Sequence, residues 1–201
     1  MNIPWEKISE TTAELRTQVL IWGRDRWWIP RAVLLVYLVK VSLEIMADST
    51  AWTWFMPVNL GIHETGHVVF HLLGFRFLEI AGGTIAQLAA PLCLIISFFR
   101  QYDLFAPAFG AFWLGTNVHY VSVYMADARA QALPLVTVGG GDHIIHDWNY
   151  MLGKLGLLRL DTFLASLVWV LGFLIMWGSC AYGFWVCRLI SEANRPDETS
   201  I

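Results

Sequence analysis

The chain reads as an all-α protein, a polytopic membrane helix bundle of about five spans with an N-terminal amphipathic helix. Three observations give that class. Of 201 residues, 57% are hydrophobic and only 14% charged, with a mean hydropathy of +0.54. Soluble domains run at about 45–50% apolar and about 25% charged residues. Five apolar segments approach the ~20 residues that a membrane helix needs. Eleven tryptophans suit a chain with two membrane interfaces, where indoles settle at the headgroup level. Little length is left for a soluble domain. The net charge of −3 argues against a nucleic-acid partner.

Residues 1–28 are expected to form an interfacial helix. Trp5, Ile8, Thr12, Leu15, Val19 and Trp22 recur at alternating spacings of three and four, one helical stripe with polar residues around it. Such a stripe can lie on a membrane or pack against the protein's own loops. Glu6, Glu10 and Glu14 interrupt this stretch, so no cleavable signal is expected.

Residues 29–190 hold the spans. The first runs from Ile29 to Ala47 and carries Lys40 and Glu44, an i,i+4 pair able to neutralise itself. The others run from Trp54 to Leu73, Gly82 to Phe99, Leu104 to Ala126 and Thr162 to Leu189. Alternating spans would place Arg24, Arg26, Arg31, Arg76, Arg129, Lys154 and Arg159 on one side. Only Arg100, Arg188 and Arg195 would fall opposite, which predicts a cytoplasmic N-terminus. Residues 191–201 are polar and read as a disordered tail. Cys93, Cys180 and Cys187 lie scattered in apolar segments and imply neither a disulfide frame nor a thiolate metal site.

The chemistry concentrates in His63-Glu64-Thr65-Gly66-His67, inside the second span. Histidines four apart share one helical face, so both imidazoles can close on one metal ion. The adjacent Glu64 can act as general base for hydrolysis. HExxH alone occurs by chance in soluble helices, and the alternative is a structural polar cluster. At hydrocarbon depth, however, each of these groups must be neutralised, paired or ligated. Zinc is the expected metal, and it needs a third protein ligand. His71 lies about 12 Å along the helix axis from His63, too far to share the ion. His119 in the fourth span reads as a buried, hydrogen-bonded histidine. The run from Gly139 to Tyr150 offers four candidates within a few residues. His146 is the first choice for third ligand, followed by Asp147, then Asp142 and His143. An aspartate here can equally cap the helix expected from Asn149 to Leu158.

The third span adds Gly82-Gly83-Thr84, Gln87 and Pro91. Small residues allow close helix approach in lipid, and Pro91 frees the carbonyl of Gln87. Two uses follow: a substrate groove or a tight packing site. Asn117 in the fourth span can donate to a developing oxyanion or hydrogen-bond another helix.

These features together resemble the site-2 protease group of intramembrane zinc metalloproteases. More narrowly, GGT-x-x-Q-x-x-x-P, the segment from Ala126 to Ala132 and His146-Asp147-Trp148 resemble small bacterial membrane proteins classed as site-2-like metallopeptidases. This likeness covers roughly residues 55–190. It implies zinc held by His63 and His67, Glu64 as catalytic base, and a transmembrane or membrane-associated protein substrate. A multi-pass location in the bacterial plasma (inner) membrane follows from it too. The late Asp-Gly motif that supplies the third ligand in site-2 proteases is absent here, and His146-Asp147-Trp148 stands in its place. Rival expectations are a lipid-directed metalloenzyme, either a zinc amidase or a di-iron desaturase or hydroxylase, and a non-catalytic metal-binding scaffold.

Overall fold

A computed structural model describes residues 5–133 and 145–195, residues 5–10 by their backbone alone. Asp142, His143 and the glycine run at 139–141 lie outside the described residues, as does most of the expected tail. The described residues are helical and contain no strand: α1 (Trp5–Trp22), α2 (Ile29–Ala47), α3 (Phe55–His71), α4 (Arg76–Arg100), α5 (Ala106–Ala126), α6 (Asp147–Lys154) and α7 (Asp161–Ala193). A 3-10 turn, Leu158–Leu160, leads into α7.

Each expected apolar segment is a helix, with adjusted ends. α3 stops at His71, and Gly74 turns the chain at φ +74°. α4 begins six residues earlier than its apolar run, because Arg76 and Glu79 pair across its first turn at 2.5 Å. It continues through Pro91. The Lys40–Glu44 pair forms at 2.5 Å. Two helical stretches, Arg76–Arg100 and Leu158–Ala193, are long and apolar enough to cross a membrane. α7 has 33 residues, about 50 Å at 1.5 Å per residue.

α5 and α7 form the central pair and run antiparallel. Gly115 and Gly172 face each other, and a Cβ on either would come 3.1 Å from the other's carbonyl oxygen. At one end of this pair Tyr182 donates to the Leu104 carbonyl at 2.8 Å. At the other, Arg129 holds Asp161 through Nε at 2.8 Å. The main core joins α1, α2, α5 and α7 around Val19, Leu38, Ile45, Phe112, Met176 and Ile190. A smaller one links α5, α6 and α7 through Val121, Met125, Leu152 and Ala165.

The stripe on α1 packs inward against α7. Val19 is fully buried, and Leu15 and Trp22 rest on the same core. Arg16 pairs with Glu192 at 2.5 Å, and Asn194 donates to the Gly23 carbonyl at 2.8 Å.

Helix direction corrects the expected alternation of spans. α2 is antiparallel to α7, since Trp28 lies by Cys187 and Leu35 by Gly183. α3 is antiparallel to α4, since His63 meets Gln87 while Phe70 meets Gly82. α4 in turn is antiparallel to α5, with Ile95 against Gly110. α2, α3 and α5 therefore point the same way. The chain leaves α2 near His119, whose Nε2 lies 3.2 Å from the Ser49 carbonyl. It then doubles back so that α3 starts beside Phe109 and Phe112. Consequently Arg76, Arg129 and the α6 region lie at the end opposite Arg24, Arg26 and Arg31. Arg100, Arg188 and Arg195 join the N-terminal group. The sequence order had grouped these residues the other way, because it assumed that every connection reverses direction.

Candidate metal centre

The α3 helix places His63 and His67 one turn apart on the face turned towards α4 and α6. Three glycines let α3 and α4 close up there. Gly66 and Gly82 pack against each other, and Gly83 lies opposite the imidazoles. A Cβ on Gly83 would come 2.5 Å from His67 Nε2 and 2.6 Å from His63 Nε2. The space filled by the two rings exists because position 83 has no side chain.

Each ring is fixed by its outer nitrogen. His67 Nδ1 lies 2.9 Å from the backbone carbonyl of Glu79, which can only accept, so Nδ1 carries the proton. His63 Nδ1 lies 3.0 Å from Gln87 Oε1 in the same sense. Both Nε2 atoms then point their lone pairs inward, at 3.0 Å and 3.2 Å from Asp147 Oδ2. One ligand atom from each of the three residues lies within 4.8 Å of the other two.

Three lone-pair donors this close repel one another unless a cation or shared proton sits among them. A tetrahedral zinc with bonds of 2.0–2.1 Å sets its ligand atoms about 3.3 Å apart. The His–Asp separations nearly match that. Two imidazoles and a carboxylate suit a borderline divalent metal, with a position left for water or substrate. Imidazoles anchored through Nδ1 are what outer hydrogen bonds do for metal-binding histidines. The residues present fit the metal.

Asp147 reaches the cluster because α6 starts there. His146 is the N-cap of α6: its Nδ1 accepts from Asn149 N at 3.3 Å. Its Nε2 lies 3.3 Å from Asp127 Oδ2, close but off the angle of a hydrogen bond. The structure thus brings Asp147, the second choice, to the cluster, while His146 caps α6 beside Asp127. The expected cap roles are exchanged too, histidine for aspartate.

Glu64 is half-buried on α3, next to His63. Asn117 is fully buried, with its amide donating to the Trp113 carbonyl at 2.9 Å. No hydrogen bond joins it to His63, His67 or Asp147. His71 is exposed and lies 3.4 Å from Glu79. An apolar groove of about 370 Å³ does run along α3, but its lining, which includes Gly61, Ile62, Thr65, Val69 and Ala86, does not include Gln87. Gln87 is turned to His63 instead, so it is a support for the cluster and not part of the groove.

Sequence reasoning missed the part played by Gly83, Gln87 and Tyr124 at the histidines and Asp147. The four-residue spacing of Gly83 and Gln87 was available as a signal, since it puts both on one face of α4. Tyr124 carried no such signal. Its hydroxyl accepts from Asp147 N at 3.3 Å, a contact made only by the folded chain.

Comparison with known proteins adds no relative. No family model matches the chain, and neither a curated protein nor a solved structure matches it.

Proposed function

We propose that this chain is a membrane-embedded, zinc-dependent hydrolase that cleaves peptide bonds of transmembrane or membrane-associated proteins. The observation that carries this reading is the convergence of His63 Nε2, His67 Nε2 and Asp147 Oδ2, with both Nδ1 atoms held from outside. Zinc, when bound, would polarise a carbonyl and make water nucleophilic near neutral pH. Glu64, half-buried on α3 beside His63, would take the proton from the attacking water and pass it to the leaving amine. Asn117 is the in-helix amide proposed to steady the developing oxyanion, by turning its donor away from Trp113. The resemblance to site-2 proteases supports a peptide substrate over a lipid amide.

The bilayer is the solvent of this reading, in a bacterial inner membrane. α2 and α3 together would make one passage, and α4, α5 and α7 one each, so the start of α2 and the end of α7 would share a side. The basic residues of that side, among them Arg24, Arg26, Arg31, Arg100, Arg188 and Arg195, favour the cytoplasm. The metal centre then lies towards the opposite face.

Glu64→Gln is the test. It should retain metal and lose peptide hydrolysis, because glutamine cannot accept the proton; turnover by that variant would remove Glu64 as the base. One observation favours a second reading. Two histidines and one carboxylate are also the ligand set of mononuclear iron(II) oxygenases. Iron in place of zinc, with oxygen-dependent turnover, would select it.

A further inference from the structure

We propose that Tyr124 is a positioning residue of the metal centre, its phenol oxygen fixing the start of α6 so that the Asp147 carboxylate meets His63 and His67. This rests on reading that cluster as a metal centre. α6 has eight residues, short of the roughly 12–15 that sustain a helix without support. Its placement must come from contacts.

α6 packs on α4 as well as α5, but its hydrogen-bonding and ring contacts outside the cluster gather on the last turn of α5 and the residues after it. Asn149 Nδ2 donates to the Ala128 carbonyl at 2.8 Å. His146 Nε2 faces Asp127 Oδ2 at 3.3 Å. The Tyr124 ring lies against the His146 imidazole, with centroids 4.2 Å apart and planes tilted by 31°.

Of these contacts, only the Tyr124 hydroxyl touches the backbone of Asp147, accepting its N–H at 3.3 Å. That N–H is among the first donors of α6, which have no partner inside the helix. His146 caps the N–H of Asn149 and leaves the one at 147 to Tyr124. Ring contact on one side and a hydrogen bond on the other thus hold the His146–Asp147 corner. Without the hydroxyl, the N–H is left unpaired and the carboxylate can swing away from the histidines.

Tyr124→Phe keeps the ring against His146 and removes only the oxygen. The test measures zinc affinity of the detergent-purified full chain by chelator competition, and the visible spectrum of its cobalt(II) form. Wild type, Tyr124→Phe and Asn149→Ala are compared. Outer-contact losses of this kind cost about 10- to 100-fold in metal affinity, and that loss, with an altered cobalt spectrum, is expected for Tyr124→Phe. Asn149→Ala, which loosens α6 without touching Asp147, is expected to keep the wild-type spectrum. Zinc affinity and spectrum unchanged in Tyr124→Phe would overturn the role of Tyr124 while leaving the metal centre standing. An equal change in Asn149→Ala would also overturn it, by making general docking of α6 the cause. Failure of the wild type to bind either metal would remove the metal centre itself, and the positioning role with it.

Discussion

His67 Nδ1 donates to the Glu79 carbonyl at 2.9 Å, so an α4 backbone group decides which nitrogen of an α3 histidine faces Asp147. The Gln87 side chain does the same for His63 from about two turns further along α4. The close approach that Gly66, Gly82 and Gly83 allow is therefore more than packing. It brings the acceptors within reach of both rings.

Gly83→Ala should close the space between the imidazoles. Alanine suits a helix better than glycine, but its methyl would meet both Nε2 atoms within 2.6 Å. Overpacking of this kind costs about 1–3 kcal/mol. Metal content should fall sharply while the helical circular dichroism stays. Full metal content in that variant would show that the rings do not occupy this space.

Gln87→Leu should weaken zinc binding by about 10- to 100-fold, the usual effect of losing an outer partner of a ligating histidine. Gln87→Glu offers a stronger acceptor to His63 Nδ1–H and should bind zinc at least as tightly as wild type. Chelator competition on the three proteins checks the order, and equal affinities would separate Gln87 from the site.

Asp147→Ala should lose metal, whereas His146→Ala, which removes no ligand atom, should still bind it with lowered affinity. The second change removes a cap, which costs about 0.5–2 kcal/mol, and should appear in thermal unfolding. The opposite order of metal loss would make His146 the ligand.

Sidedness follows from helix direction. Gln101 lies exposed between α4 and α5, and Ala130 lies exposed after α5. With the exposed Cys93 replaced by serine, Ala130→Cys should react with an impermeant maleimide on intact cells. Gln101→Cys should react only after permeabilisation. Labelling of both from one side would contradict the four-passage arrangement.

Much of this was legible before the fold. HETGH implied a helix with two histidines on one face, and Gly82-Gly83 marked a close approach. The apolar runs located α2, α3, α5 and α7 within a few residues and α4 to within six at its start. Two things were hidden. Nothing in the connection from Asp48 to Trp54 signals that the chain doubles back, because hydropathy reports burial and not direction. The choice between His146 and Asp147 was hidden by capping preferences. Aspartate is a common N-cap and histidine is not, which on sequence alone favours the histidine as ligand. Asp127 and Tyr124, brought in by the α5 terminus, draw His146 away and leave Asp147 to face α3.

Elemental analysis of the detergent-purified chain, beside His67→Ala and Asp147→Ala, tests the central claim most directly. About one zinc per chain in wild type, lost in both variants, is the expected result. A well-folded wild type without metal, or an Asp147→Ala variant that keeps its zinc, would contradict the metal centre described here.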